Sequence, residues 1–290
     1  MKVQLPTNII IRPPTPQDAK GVADLVVFLD IQDTGESDIT EEVILEEWSR
    51  PRFDLAKDAW VAVAITDDGE QIVGYEEAYN RDAHAYYMAD GYVHTHYRDL
   101  GIGTALLLRV EERIQEQMHL APPDRDVYVR AGVSGKDHTG CQLLEGTGYA
   151  PRRYFWRMRI EMDHPPEAAV LPSGITWRNF IPGQDEHVVF DGFREAFRDG
   201  WGYTEWVYED WAQRQFGEDF DPSLWFLAFD GDELAGGALC EFRPAILSNS
   251  QDGWVSQLAV RRPYRRKGVG FALLKLAFAE FYRRGTRRVG

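Results

Sequence analysis

Only two cysteines, Cys141 and Cys240, occur in 290 residues, one in each half and without metal-ligand spacing. That scarcity argues against a disulfide framework or a metal site and suits a chain held in a reducing cytoplasm, with both thiols as small buried side chains. No apolar run approaches the roughly 20 residues that cross a bilayer. The N-terminus, MKVQLPTNIIIRPP, lacks the charged-then-apolar layout of a signal peptide. A soluble protein without a membrane partner is expected. Basic charge is also short: 32 Lys and Arg stand against 47 Asp and Glu, for a net charge of −15. Duplex binding needs a broad positive field, so nucleic acid is not an expected partner.

The basic residues that do occur are concentrated. Residues 261–290 hold ten Lys and Arg against one acid, Glu280. A local basic cluster in an acidic protein suggests a small polyphosphate ligand, and the acidic remainder would draw in a cationic substrate. The cluster lies within one stretch, residues 253–284, that reads as strand (GWVSQLAV), turn (RRPYRRKGVG) and helix (FALLKLAFAEFYRR). Val255, Leu258 and Val260 give the strand its β-prone apolar residues, and Phe271, Leu274, Phe278 and Phe281 form the helical stripe. Gly268 and Gly270 leave the first-turn N–H groups unshielded, which makes an anion seat.

The same arrangement occurs earlier as DGYVHTHYRDLGIGTALLLRVEERI. Val93 aligns with Val260, Tyr97 with Tyr264, Arg98 with Arg265, Gly101 with Gly268 and Gly103 with Gly270, at one offset (265 − 98 and 270 − 103 both give 167). A period this long is domain-sized, so the chain reads as two tandem copies of one fold. With 44% hydrophobic residues it can bury two cores.

In the first copy a strand is expected at residues 9–12 and a helix after Thr15-Pro16, followed by a polar loop at residues 32–38 and a second helix at residues 40–49. Strands at residues 59–65 and 71–79 flank a hairpin turn, and a third fills residues 86–93. Behind the glycine turn a helix is expected to about residue 117, then a strand in DVYVRAGV, a short helix near residues 140–145 and a closing strand at residues 154–162. This predicts an N-terminal domain at 1–163 and a Pro- and Ala-rich linker at 164–173. A C-terminal domain at 174–290 restarts with a strand at 175–178, helices at 185–197 and 204–215, and strands at 225–230 and 232–241. By the duplication this second domain lacks its last strand, helix and hairpin.

Three phosphate-binding motifs compete for the turn. A Walker A loop needs Gly-Lys-Ser/Thr at its end, and neither copy has it. A dinucleotide fingerprint needs a third glycine where Leu106 and Leu273 stand. What remains is Arg-x-x-Gly-x-Gly between a strand and a helix. It resembles the pyrophosphate loop of the GNAT superfamily of acetyl-CoA-dependent N-acetyltransferases, and the element order of both halves is similar to that family. The layout is similar to that of tandem GNAT proteins, including those like mycothiol synthase. One departure is that Thr95 and Arg262 replace the usual proline.

The resemblance implies an α/β fold of two GNAT domains, each a mixed, mostly antiparallel sheet flanked by helices. It implies acetyl-CoA as cofactor and transfer of its acetyl group, by direct attack, to a primary amine of a small molecule. Backbone N–H groups of Asp99, Leu100, Gly101, Ile102, Gly103 and Thr104 would hold the coenzyme A diphosphate in the first copy. Those of Arg266, Lys267, Gly268, Val269, Gly270 and Phe271 would do so in the second, with Arg98 and Arg265 positioning the turns. Val93 and the stretch Leu258, Ala259 and Val260 line the pantetheine slot, and an N–H of that stretch would polarise the thioester carbonyl.

Deprotonating the amine calls for a carboxylate, and Glu241 and Asp252 are the candidates in the second copy. Gln257 could relay a proton through water but cannot take one. Trp201 and Tyr203 are expected to wall the acceptor pocket, where aromatics can cradle a cation. His94 and His96 flank the first turn without a third ligand, so no metal is expected. The motif that in the family supplies a tyrosine acid to the leaving thiolate reads Leu143-Leu144-Glu145 here, so the first copy lacks it. The C-terminal domain is therefore expected to be the catalytic one. The alternative is a non-catalytic acyl-CoA-binding or scaffolding protein.

Overall fold

The computed structural model describes residues 3–35, 37, 39–67, 69–217, 220–244 and 251–290. Their contacts divide the chain into two units, Met1–Tyr154 and Phe155–Gly290. Each unit is built around one sheet.

In the first unit, β1 (Ile9–Arg12), β2 (Ala59–Thr66), β3 (Gly69–Asp82), β4 (Tyr86–Val93) and β5 (Tyr128–Gly132) lie side by side in chain order. All pairs are antiparallel except β4 and β5, which run parallel. A parallel pair requires a crossover connection, supplied by α4 (Ile102–Gln117). Helices α1 (Ala19–Thr34) and α2 (Glu41–Trp48) cover one face through Val22, Leu25, Val26, Ile44 and Trp48, packed on Val61, Val63 and Tyr75. The other face takes Ile102 and Leu106 of α4 against Ala62, Ala64 and Val73. The four-residue α3 (Leu55–Asp58) leads into β2, and α5 (His138–Gly146) follows β5.

Local chemistry sets these ends. Thr40 Oγ1 accepts from the N–H of Val43 at 3.3 Å and caps α2. Gly35, at φ 83°, closes α1 in the left-handed region. Thus α1 runs two to three residues into the polar loop expected from residue 32; Glu36 and Asp38 of that loop, and Asp68 of the hairpin turn, fall outside the described residues.

The second unit repeats the plan as β7 (Ile175–Asn179), α6 (Glu186–Phe197), α7 (Tyr208–Gln215), β8 (Trp225–Asp230), β9 (Glu233–Pro244), β10 (Gln251–Val260), α8 (Val269–Arg283) and β11 (Arg288–Val289). Phe193, Trp211, Leu227 and Leu239 are buried on the α6/α7 face, and Leu273, Ala277 and Phe281 of α8 on the other. β11 pairs in parallel with β10, as β5 does with β4. Helix α7 starts at Tyr208, four residues later than the sequence predicts.

The closing strand expected at residues 154–162 is different. Only β6 (Ile160–Glu161) is extended and paired, and it joins the second unit's sheet against β11. Met162 donates its N–H to the Arg287 carbonyl at 2.8 Å and is buried in that unit's core. Strand propensity needs a neighbouring edge to become a strand. Phe155 and Trp156 have none and are about four-fifths exposed. Among the described residues no helix is long and apolar enough to cross a membrane.

Candidate functional site

The two glycine turns have the same backbone. After β4 a single helical turn, Thr95–Tyr97, precedes Asp99 at φ 62° and Gly101 at φ 80°, and α4 begins. After β10 the turn Arg262–Tyr264 precedes Arg266 at φ 63° and Gly268 at φ 92°, and α8 begins. The first helical hydrogen bonds match as well: the N–H of Ala105 donates to Gly101 at 2.9 Å, that of Ala272 to Gly268 at 3.0 Å. The N–H groups ahead of these bonds have no carbonyl within the helix to meet, so each turn presents donors along the helix axis.

Side chains make the turns unequal. A Cβ on Gly101 would stand 2.7 Å from Val3, and one on Gly103 would stand 2.8 Å from Leu143. Around Gly268 nothing lies within 4 Å of that position. The charges diverge too. Most of the second unit's basic cluster is spent on ion pairs: Arg261 with Glu195 and Glu233, Arg262 and Arg265 with Asp199, Lys275 with Glu167, Arg284 with Asp221 and Glu280. Arg266 and Lys267, on the turn itself, meet no acid among the described residues. Asp99 and Leu100 stand in the equivalent places of the first turn. Open donors beside two uncommitted cations fit the diphosphate of coenzyme A in the second unit, and an acid on the turn opposes it in the first.

Arg265 ties its turn down. It donates to the carbonyls of Val260 at 3.0 Å and Ala196 at 2.7 Å while Asp199 holds its other side. The two arginines keep the Asp199 carboxyl low, at about 2. Arg98 instead pairs with Asp137, the cap of α5, at 3.2 Å.

Between the parallel strands the sheets open. In the first unit pairing ends at Asp90 with Gly132, leaving Gly91, Tyr92 and Val93 without a β5 partner. In the second, Gly253 is in register with Val289 and Val255 donates to the Gly290 carbonyl at 2.9 Å, with Leu258, Ala259 and Val260 further along β10 toward the turn. β10 also carries a bulge at Ser256, between the pairs Val255 with Cys240 and Gln257 with Leu239, which turns the backbone locally. A thioester arm laid along such an edge can take strand-like hydrogen bonds.

Glu241 and Asp252 lie toward the opposite end of β9 and β10. Asp252 is eight residues from Val260, about 27 Å at strand rise. Glu241 pairs with Arg243 at 2.7 Å and Asp252 with Arg288 at 3.2 Å. Nearer the turn stands Gln257, whose Nε2 donates to Gln215 at 3.3 Å and whose Oε1 is buried without a partner among the described residues. Trp201 is half exposed on the α6–α7 loop with its ring 6.3 Å from Phe155, and Tyr203 donates to Glu205 at 3.3 Å. His94 stacks on Phe28 at 4.5 Å, and burial, then His96, lowers its pKa. The Cys240 thiol is buried and pushed up.

Sequence reasoning missed a group of carboxylates in the first unit. Glu77 faces Asp90 across β3 and β4, and Glu76 faces Gly91. Asp90 is exposed at the strand edge; desolvation by the atoms crowded around it, then the charge of Glu77, pushes its carboxyl up to about 7, while Tyr92 donates to it at 3.1 Å. Burial, then Asp90 and Glu77, pushes Glu76 well above the carboxylate range. The signal was available: the offset of 167 sets Asp90 against Gln257.

The acetyltransferase (GNAT) family matches residues 28–132 and 188–290. A mycothiol acetyltransferase of Geodermatophilus obscurus is 30% identical over 195 residues, covering 66% of this chain and 60% of that protein. One from Thermobispora bispora is 28% identical, covering 77% and 71%. The chain thus spans about three-fifths to seven-tenths of these relatives. A GCN5-related N-acetyltransferase of Sphaerobacter thermophilus superposes with a TM-score of 0.81 at 35% identity, over 99% of this chain and 86% of that one. A tandem GNAT protein from the clavulanic acid biosynthesis pathway shares the fold at 15% identity, with a TM-score of 0.59. With the turn and the helix order present twice, the chain belongs to the acetyltransferase (GNAT) family, whose acyl donor is acetyl-CoA, as two tandem domains.

Proposed function

We propose that the protein transfers the acetyl group of acetyl-CoA to a primary amine of a small molecule, and that the second unit holds the thioester. The observation that carries this is the open turn around Gly268, flanked by Arg266 and Lys267 with no acid among the described residues to neutralise them. The donors of residues 266–271 would grip the diphosphate, Arg265 would keep the turn in shape, and the edge at Leu258, Ala259 and Val260 would hold the pantetheine arm. Acetyl-CoA supplies an activated acyl carbon. The chain's part is to align it and to offer an N–H of the stretch Leu258, Ala259 and Val260 to its carbonyl oxygen.

The acceptor amine must lose a proton to react. Glu241 and Asp252 are the proposed carboxylates in this unit, reached through water from mid-strand, with Trp201 and Tyr203 walling the pocket. The relatives' names make mycothiol-related amines the first acceptors to try, in a cytoplasmic setting. A second reading, acyl-CoA binding without turnover, is favoured by the neutral Gln257 near the turn and by Leu144 in the first copy. Release of free coenzyme A thiol over a panel of amines separates the two. Turnover that disappears in Gly270→Glu, whose added Cβ would stand 3.3 Å from Val260, supports transfer by the second unit. Tight coenzyme A binding with no turnover on any amine supports the second reading.

A further inference from the structure

Under α7 of the second unit, two buried polar atoms have no partner among the described residues. Trp211 is 2% exposed, and its Nε1 has no acceptor. Gln257 Oε1, on β10, has no donor, although the same side chain gives its Nε2 to Gln215 at 3.3 Å. One atom can only donate and the other can only accept. Dry, unpaired groups of this kind destabilise a fold, so each calls for a polar partner from outside the protein.

Both atoms belong to one patch. Trp225, Leu239 and Gln257 are in register across β8, β9 and β10, so their side chains leave the sheet on the same face. Helix α7 lies over that row: the Trp211 ring is 6.3 Å from the Trp225 ring, and Gln215, one helical turn after Trp211, reaches Gln257. Residues four apart on a helix are surface neighbours, with Cβ atoms about 5–6 Å apart. Gln215 and Gln257 are half-buried, so solvent reaches the patch on their side and Trp211 lies further in. The next residue along β10, Leu258, packs on the α8 face and begins the stretch that would hold the thioester.

The first unit closes the same face with its own side chains. There the indole of the second helix, Trp48, donates its Nε1 to the Tyr75 hydroxyl at 2.8 Å; Tyr75 donates to Glu77 at 2.6 Å, and Arg50 holds Glu77 at 2.6 Å. In the second unit the registers of Tyr75 and Glu77 fall on Gly237 and Leu239, whose side chains offer no acceptor. The indole that one unit satisfies internally is left by the other for a ligand to meet.

We infer that Gln257 and Trp211 select and orient the acceptor in the second unit. The acceptor's amine donates an N–H to Gln257 Oε1, and a neutral oxygen on the carbon next to the amine-bearing one accepts from Trp211 Nε1. This rests on acetyl transfer by the second unit and names its substrate class: a primary amine with a hydroxyl or carbonyl beside it, in preference to a plain alkylamine. Gln215 holds the Gln257 amide so that Oε1 faces inward. A neutral amide takes an N–H and leaves the nitrogen lone pair free, whereas a carboxylate in its place would favour the ammonium form.

Release of coenzyme A thiol by the full chain is measured with 2-aminoethanol, glycinamide and n-propylamine as acceptors. The amines differ in basicity, so the readout is the ratio of kcat/KM for each oxygen-bearing amine to that for n-propylamine, compared between the native chain and Trp211→Phe, which keeps a ring and removes the N–H. We expect the ratio to fall about tenfold for at least one of them, the size of one lost hydrogen bond in a buried site. Gln257→Leu should raise KM for all three amines, and thermal melts check that both variants fold. A ratio unchanged in Trp211→Phe, or KM values unchanged in Gln257→Leu, overturns the inference. Titration calorimetry of the same amines in the presence of coenzyme A reads the same preference without turnover. Oxygen-dependent binding that is lost in Trp211→Phe while no amine turns over upholds the inferred contacts and overturns acetyl transfer alone; binding indifferent to the oxygen overturns the inference.

Discussion

Asp90 and Asp18 show how one residue type does opposite things in one domain. Asp18 takes both nitrogens of Arg12, at 2.7 and 2.8 Å, as well as the N–H and hydroxyl of Thr15; the Arg12 hydrogen bonds, against burial, hold its carboxyl low, at about 2. Its folded pKa is below the unfolded 3.8, so its contribution is complete above that value and is lost as pH falls toward 2. Asp90 has the reverse sign. Its folded value near 7 exceeds 3.8, the folded state holds the extra proton between them, and stability falls as pH rises through that window. Asp90→Asn should therefore raise the melting temperature at pH 8 and change it little at pH 4, as differential scanning fluorimetry would record. A melting temperature lowered at pH 8 would contradict the assignment. On the other unit, Arg265→Ala removes the links to the Val260 and Ala196 carbonyls. Coenzyme A affinity should drop about tenfold, the size expected for losing a charge-assisted positioning contact, while the melting temperature moves by only a few degrees.

At the scale of elements, α8 joins stability to the site. Its buried stripe Ala272, Leu273, Ala277 and Phe281 fixes the helix on the sheet, and so fixes where the donors of its first turn point. Leu273 is fully buried, and Leu273→Ala should cost about 2–5 kcal/mol in urea unfolding. Coenzyme A affinity of the folded fraction should fall less than in Arg265→Ala. Much of this element was legible in advance: the strand, turn and helix at residues 253–284 lie where apolar periodicity and two glycines place them. The end of the first copy was not. RRYFWRM has the aromatic content of a strand, but composition says nothing about whether a sheet edge is free to receive it.

For the whole molecule, the tandem duplication was readable from one constant offset, while the division between the units depends on pairing. Residues 160–162 are paired and packed with the second unit's sheet, through β11 and the core around Met162. A piece spanning 155–290 should then melt cooperatively and at a higher temperature than one spanning 174–290, which keeps the sequence-based boundary but loses β6. Equal melting temperatures would favour a boundary near residue 163.

The sequence alone determined the duplication, the family and the chemistry of the turns, because each depends on local spacing: two glycines after a strand, an arginine three residues before the first. It also held the substitutions that distinguish the copies, Asp90 against Gln257 and Asp99 against Arg266. Their consequence came only with the tertiary structure. Whether a lysine or arginine is available to a ligand depends on which distant acid folds against it, and whether a carboxylate is ordinary or strained depends on the strands and helices that remove water from it. Those are long-range facts of packing, and they are what separate a turn open to an anion from one crowded by side chains.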